Sequence, residues 1–142
     1  MRLFGSKIRL DNCEVKGVQG GVSIEGCKDA EIISGKYYTV NTPGNIDGYY
    51  PLYVTNDAVV VVSGGKFSAA NNRSGGLDIG GTSAVVSDDN DVNLPYGCVI
   101  LKGGKFSGKA YNDVTREVYQ PAEGYVYKET GDDEYPWEVV TE

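Results

Sequence analysis

The sequence has no histidine and little sulfur, with one methionine and three cysteines among 142 residues. Without histidine, the chain lacks the commonest general base near neutral pH, the commonest transition-metal ligand and the base of a serine-centred triad. The cysteines are odd in number and lack C-x-x-C spacing, so they predict neither a zinc site nor a complete disulfide framework. Cys13 and Cys27 could face each other on adjacent repeats, but we favour free cysteines in apolar surroundings.

Long apolar runs and an excess of basic residues are also missing. No stretch is long enough for a transmembrane helix, and the first ten residues, with Arg2, Lys7 and Arg9, lack the apolar core of a signal peptide. Thirteen basic residues against twenty acidic ones give a net charge of −7. This charge opposes binding to phosphate backbones, so nucleic acid is not an expected partner. No glycine-rich phosphate-binding loop is present either.

Valine, isoleucine and glycine dominate what is present. Valine and isoleucine number 25 together, against six leucines, and there are 20 glycines. Branching at Cβ favours the pleated surface of a strand, and glycine supplies turns with positive φ. The composition predicts an all-β fold.

One segment occurs three times in the chain, and the copies align on a lysine. The lysines are Lys36, Lys66 and Lys105, and the copies are Ala30-Glu-Ile-Ile-Ser-Gly-Lys-Tyr37, Val60-Val-Val-Ser-Gly-Gly-Lys-Phe-Ser68 and Val99-Ile-Leu-Lys-Gly-Gly-Lys-Phe-Ser107. A shorter segment of alternating apolar residues that ends in Gly or Asn precedes each copy. We assign it to 22–26, 52–56 and 77–81, with an incomplete copy at 8–12.

Each segment has the length and period of a short strand, and each corner residue enters the left-handed region at low cost. Strand and corner in alternation predict a right-handed parallel β-helix (solenoid) of a few coils in which like residues stack. We expect coils over residues 1–110, with loop insertions near 39–51, 71–76 and 87–96. Because the repeats begin incomplete, we expect the chain to be the terminal part of a larger protein.

The C-terminal segment, 111–142, is predicted to cap the solenoid within the same structural domain. Gly124–Thr130 and Trp137–Thr141 flank a turn-rich stretch and read as a β-hairpin, with Tyr125, Tyr127 and Trp137 as cross-strand partners. Residues 112–119 before it form either a helical turn or a short strand. A cap is physically expected, because an open solenoid end exposes unpaired strand edges.

The Gly-Gly-Lys-Phe-Ser segments at 64–68 and 103–107 resemble the GG-x-F-S turns of pectin-lyase-like right-handed β-helix proteins, especially repetitive bacterial surface and secreted proteins. A last such turn is often followed there by an EGY segment and a W/Y-x-V segment, to which Glu123–Tyr125 and Trp137–Val139 are similar. The resemblance covers roughly residues 20–142. It implies an extracellular or cell-surface location and leaves activity open, because this fold hosts lyases, hydrolases, adhesins and spikes.

Carboxylates are the first candidates for chemistry, because enzymes of that class act on polysaccharides with paired acids or with calcium-bound acids. Asp57 and Asp78 lie near strands of successive repeats, although at non-equivalent places, and we favour solvated surface acids. Asp89, Asp91 and Asn93 supply hard oxygen ligands at alternate positions, as calcium prefers. They lack the glycine and distal glutamate of an EF-hand loop, so an acidic loop without metal is the simpler interpretation.

Two further sets of residues are candidates for ligand binding. Lys36, Lys66 and Lys105 could form a basic ladder that meets a carboxylated glycan, or could be soluble turn residues that discourage edge pairing. Tyrosines surround the first insertion. Tyr38, Tyr49 and Tyr50 could stack on sugar rings or pack the loop against the solenoid, while Tyr37 is expected in the core beside Phe67 and Phe106.

We identify no catalytic residues and no required cofactor. The expected function is that of a non-catalytic structural or glycan-binding module from a larger bacterial surface or secreted protein. One alternative is a fragment of a polysaccharide lyase or glycoside hydrolase, and a second is a phage-type spike element, which would form a trimer. The expected partners are a polysaccharide or surface glycan, adjoining β-helix coils or further copies of the chain, with no membrane span.

Overall fold

The computed structural model describes residues 1–18, 20–40, 50–70, 85–87, 97–112 and 117–142. These residues form strands and no helix, which confirms the all-β prediction. The strands are β1 (Arg2–Leu3), β2 (Ile8–Leu10), β3 (Cys13–Gly17), β4 (Gly20–Glu25), β5 (Ala30–Ile32), β6 (Gly35–Thr39), β7 (Tyr50–Thr55), β8 (Val59–Val62), β9 (Lys66–Ser68), β10 (Val85–Ser87), β11 (Cys98–Leu101), β12 (Lys105–Phe106), β13 (Tyr111–Asn112), β14 (Glu117–Val118), β15 (Tyr125–Glu129) and β16 (Trp137–Thr141).

From β1 to β13, successive strands go in turn to three sheets, and each strand from β1 to β10 pairs in parallel with the strand three places later in the chain. The first sheet has the order β1-β4-β7-β10-β13-β14, the second β11-β8-β5-β2 and the third β15-β16-β12-β9-β6-β3. We call three successive strands, one in each sheet, a circuit. Parallel strands need a crossover connection, and here each circuit supplies it.

Side chains at equal positions in successive circuits form columns that fill the core. In the second sheet, Leu10, Ile32, Val62 and Leu101 lie in register and are all buried. Alternation along each strand sends every second side chain inward. Full burial of one such side chain contributes about 1.5–3 kcal/mol, so the columns account for the preference for branched residues.

The third sheet carries an aromatic column. Tyr37, Phe67 and Phe106 pair in register, are fully buried and stack with ring centroids 5.2 Å apart at each step. The expected equivalence of Tyr37 with the two phenylalanines is therefore confirmed. The register also confirms the alignment of Lys36, Lys66 and Lys105 in the three repeat segments.

The corners lie where the sequence places them. Gly26 and Asn56 have φ angles of 69° and 52°, and Asn12 has a φ angle of 57°. Asparagine tolerates this left-handed region better than most residues, because its short side chain can hydrogen-bond locally. In the copies at 22–26 and 52–56, the Gly or Asn at the end of the shorter segment is therefore a corner residue, as predicted, whereas Asn12 lies at a different corner, between β2 and β3.

One assignment of the shorter segment is wrong, and a second lies outside the described residues. Ile8–Leu10 pairs with Ala30–Ile32 in the second sheet, whereas Arg2–Leu3 is the strand that pairs with Ser23–Ile24. The register position above Leu52 is taken by Val85–Ser87, while the proposed copy at 77–81 lies outside the described residues. Short apolar alternation is alike in the first and second sheets, so pattern alone does not separate them.

The boundaries of the predicted loops also need adjustment. Thr39 ends β6, Tyr50 and Pro51 begin β7, and Ser87 ends β10, so strands extend into the ends of the predicted insertions. In the stretch 112–119, residues Glu117–Val118 form a strand antiparallel to β13, which favours the strand alternative. Cys13, Cys27 and Cys98 are free, and Cys13 lies opposite Gly35 instead of Cys27.

The C-terminal segment contacts the last strand of all three sheets. β14 pairs with β13 in the first sheet, the amide of Ala122 donates to the carbonyl of Leu101 in the second, and β16 pairs with β12 in the third. β15 and β16 form the predicted antiparallel hairpin. Of its expected aromatic partners, Tyr127 and Trp137 meet edge to face at 6.4 Å, on diagonal positions.

Candidate functional site

The outward face of the third sheet carries the three repeat lysines in one column. Lys36 lies opposite Lys66, and Lys66 lies opposite Lys105. Since neighbouring strands are about 4.8 Å apart, the three side chains leave the sheet within about 10 Å of one another. The inward neighbours of these lysines are Tyr37, Phe67 and Phe106, so the aromatic stack holds the lysine column in register.

The lysines do not protect a sheet edge. Lys36 lies on β6, between β3 and β9, and Lys66 lies on β9, between β6 and β12. Lys105 lies on β12, which pairs with β9 on one side and β16 on the other. All three strands are therefore paired on both sides, so the edge-protection explanation for these lysines does not apply.

A groove with a volume of about 800 Å³ runs along this column. The three lysines line it together with Lys102, and backbone-rich segments at 34–35, 63–65 and 103–104 form a strip beside them. The strip has few side-chain atoms because two of its glycines have no room for a Cβ atom. A Cβ on Gly64 would lie 2.4 Å from the carbonyl oxygen of Ile33, and one on Gly103 would lie 2.2 Å from that of Ser63.

The groove is positively charged although the chain as a whole is acidic. Four lysines line it, against two glutamates, Glu14 and Glu138, whereas the whole chain carries −7. In the described part of the chain, Lys36, Lys66 and Lys105 form no ion pair; the ion pairs there involve Arg2, Arg9 and Lys28. Like charges in one column repel one another, and a bound anion would relieve that repulsion.

Aromatic rings and an acidic turn surround the lysine column. The ammonium group of Lys36 lies 4.8 Å from the ring centroid of Tyr38, and that of Lys66 lies 5.7 Å from Tyr135. Asp132, in the turn between β15 and β16, accepts hydrogen bonds from the amides of Glu134 and Tyr135. These bonds lower its pKa, and Lys105 and Lys66 lower it further, so the acidic turn lies within the field of the column.

The structure separates the candidate tyrosines. Tyr38 is half-buried on the third sheet, where its hydroxyl donates to Glu14 at 3.0 Å; this hydrogen bond raises the pKa of Tyr38. Tyr50 lies on the first sheet and stacks with Tyr53 at 6.2 Å. Tyr49 lies outside the described residues. Of the three, the described structure places only Tyr38 beside the lysine column.

The candidate acids are not assembled into a described catalytic pair. Asp57 is exposed at a corner with a φ angle of 63° and forms an ion pair with Lys28. Asp78 lies outside the described residues, as do the calcium candidates Asp89, Asp91 and Asn93. Over the residues that the structure describes, no group of three or more Cys, Asp or Glu side chains is placed to hold a metal ion.

No family model, curated protein or solved structure shows significant similarity to this chain. The pectin-lyase-like resemblance therefore remains a prediction from the repeat segments. A membrane-spanning helix is absent from the described ranges.

Sequence reasoning identified the lysines but missed the glutamates at both ends of their column. Glu14 lies opposite Lys36, and Glu138 lies opposite Lys105. The signal for Glu14 was available, because Cys13-Glu14-Val15 aligns with Gly35-Lys36-Tyr37 once β3 is recognised as a copy of β6. Glu138 could not be found by repeat alignment, because β16 joins the sheet in the antiparallel direction.

Proposed function

We propose that this chain is a non-catalytic, glycan-binding module built as a right-handed parallel β-helix, and that its lysine groove binds a carboxylated glycan. The chain contributes successive strands to three sheets in turn, with like residues in register, and this supports the β-helix interpretation. A surface or secreted parent protein is part of this proposal, because such proteins meet extended glycans.

The observation that carries the proposal is the column formed by Lys36, Lys66 and Lys105. These ammonium groups form no ion pair among the described residues and lie along an open groove rather than around a closed pocket. A linear polyanion matches such a site, because its charges repeat along its length as the lysines do. The glycines beside the column carry no side chains and so leave room for sugar rings.

Binding by this groove should be weak and sensitive to salt. An exposed ion pair contributes about 0.2–1 kcal/mol, and charges at a surface are screened within about 8 Å at physiological ionic strength. Three lysines therefore suit multivalent capture of a long polymer better than tight binding of one sugar. Tyr38 can add a ring face at the Lys36 end of the groove.

Affinity electrophoresis through gels that contain polygalacturonate tests the proposal. The wild-type chain should be retarded at low salt and released at high salt, and a neutral polysaccharide should retard it less. The triple variant Lys36→Gln, Lys66→Gln, Lys105→Gln should lose the retardation. A control with Lys7→Gln, Lys16→Gln and Lys28→Gln has the same net charge but leaves the groove intact, so it should keep most of it. Equal losses in both triple variants would refute a site at the groove.

A further inference from the structure

The lysine column ends in a glutamate on each side. Along the outward positions of the third sheet, the order is Glu14, Lys36, Lys66, Lys105, Glu138. Lys128 on β15 is next in register, but it does not line the groove. Both glutamates line the same groove as the lysines. The cationic part of the column therefore has a fixed length of three residues, with a negative charge one strand spacing beyond either end.

Each glutamate has defined neighbours on the third sheet. Glu14 accepts a hydrogen bond from the hydroxyl of Tyr38, whose ring in turn lies under the ammonium group of Lys36. Glu138 is half-buried on the inner strand of the hairpin, between Lys105 on β12 and Lys128 on β15. Neither carboxylate forms an ion pair with the lysine column in the described structure.

A long carboxylated glycan in this groove would meet attraction and then repulsion. Carboxylates opposite the three lysines are attracted, whereas a carboxylate that extends past either end lies next to Glu14 or Glu138. Two like charges a few ångströms apart at a protein surface repel with an energy comparable to that of one ion pair. Added length past the lysines would therefore bring no further gain in affinity.

We propose that Glu14 and Glu138 limit the length of anionic glycan that the groove engages. This inference rests on the proposed function and deepens it: the ligand is a short block of carboxylated sugars within a chain. In a glycan whose charged blocks are short and separated by neutral sugars, one block can pair with the three lysines while neutral sugars lie next to the glutamates. When affinity is counted per equivalent binding position, the groove binds a continuous polyuronate no more tightly than a short one.

Titration calorimetry with oligogalacturonates of two to eight units tests this limit. For the wild-type chain, affinity corrected for the number of equivalent positions should rise with length and then level off. In the double variant Glu14→Gln, Glu138→Gln, the longer oligomers should bind about two- to fivefold tighter, while the dimer should change little. Glutamine at position 14 can still accept from Tyr38. A matched control, Glu123→Gln with Glu129→Gln, removes two exposed acids that do not line the groove and should leave the length dependence unchanged.

The outcomes separate this inference from the proposed function. No binding at any length, or binding that survives replacement of the three groove lysines, would overturn both. Binding that depends on the lysines but rises with length equally in the wild type and the glutamate variant would overturn only the length limit. A gain of equal size for the dimer and the octamer would also overturn it, because this would reflect net charge alone.

Discussion

The rings of Phe67 and Phe106 stack with their centroids 5.2 Å apart and their planes 10° apart. Both side chains are fully buried, and their outward neighbours in the chain are Lys66 and Lys105. Because side chains alternate between the two faces of a strand, the register that stacks the rings also aligns the lysines. The core of the third sheet thus sets the geometry of the groove.

Replacement of Phe67 tests how far the aromatic stack stabilises the fold that carries the groove. Phe67→Ala should lower the free energy of unfolding by about 3–5 kcal/mol, since it removes the middle ring of a buried stack and leaves a cavity. Urea denaturation followed by fluorescence measures the change. Val126→Ala, at a side chain that is 37% exposed, serves as the control and should cost much less. A loss below about 1 kcal/mol for Phe67→Ala would show that the stack is not a main support of the fold.

The glycine strip of the groove makes a second prediction. Gly103→Ala places a Cβ 2.2 Å from the carbonyl oxygen of Ser63, so the backbones of two circuits must separate. Overpacking of this kind costs about 1–3 kcal/mol. Gly20→Ala is the matched control, because its Cβ would lie 3.5 Å from the carbonyl oxygen of Tyr50, an ordinary contact. Thermal unfolding should show a clear drop for the first variant and a small change for the second; similar melting temperatures would contradict the steric account.

Buried tyrosines predict that the chain loses stability in alkali. Burial raises the pKa of Tyr37 to about 12, and its hydroxyl donates to the carbonyl oxygen of Ser34 at 2.8 Å. The fold favours the neutral phenol, so this contribution is complete below about pH 10, the ordinary pKa of tyrosine. It is lost as the pH rises through about 12.

Tyr37→Phe isolates that contribution. The variant keeps the stacked ring but cannot titrate, so its stability should fall less steeply than that of the wild type above about pH 10. Tyr127 and Tyr135 also have pKa values raised by burial, so some decline should remain. Denaturant unfolding at a series of pH values measures both slopes, and identical slopes would show that Tyr37 is not involved.

The extent to which the sequence predicts this structure differs between the repeats and the segments around them. The register of Lys36, Lys66 and Lys105 follows from alignment, because each copy must place its aromatic residue inward and its lysine outward. The pattern places Ile8–Leu10 on the wrong sheet, because three residues of apolar alternation look the same on two sheets. The pattern does not mark Val85–Ser87 as a strand, because the residues around it are rich in Asp, Asn and Gly, which predict a loop.

The candidate site was predictable only in part for a similar reason. A repeat alignment identifies residues that recur, so it finds the lysines. It does not find Glu138, which enters the column from an antiparallel hairpin, or Asp132, which reaches the field of the column through a turn. Both depend on how the C-terminal segment folds back over the last circuit, and pairing of that kind is not encoded in local spacing.

Trp137 makes a prediction about the C-terminal hairpin. Its indole lies opposite Phe106, meets Tyr127 edge to face and lies 4.2 Å from the ammonium group of Lys109. Trp137→Ala should destabilise the chain, by less than the 3–5 kcal/mol typical of a fully buried tryptophan, and should loosen β16 from β12. The freed strand edge favours aggregation, which light scattering at rising concentration would detect. Val118→Ala, at an exposed side chain on β14, is the control; equal behaviour of the two variants would contradict this role of Trp137.

The central claim is that the lysine column is the binding site, and an NMR titration of the ¹⁵N-labelled chain with oligogalacturonate tests it most directly. We predict that amide shifts concentrate at residues 34–36, 63–66 and 102–105, the segments that line the groove. We also predict that these shifts diminish as salt is added, because the contacts are exposed ion pairs. Shifts that cluster on the first sheet around Tyr50 and Tyr53, or no shifts at low salt, would contradict the account.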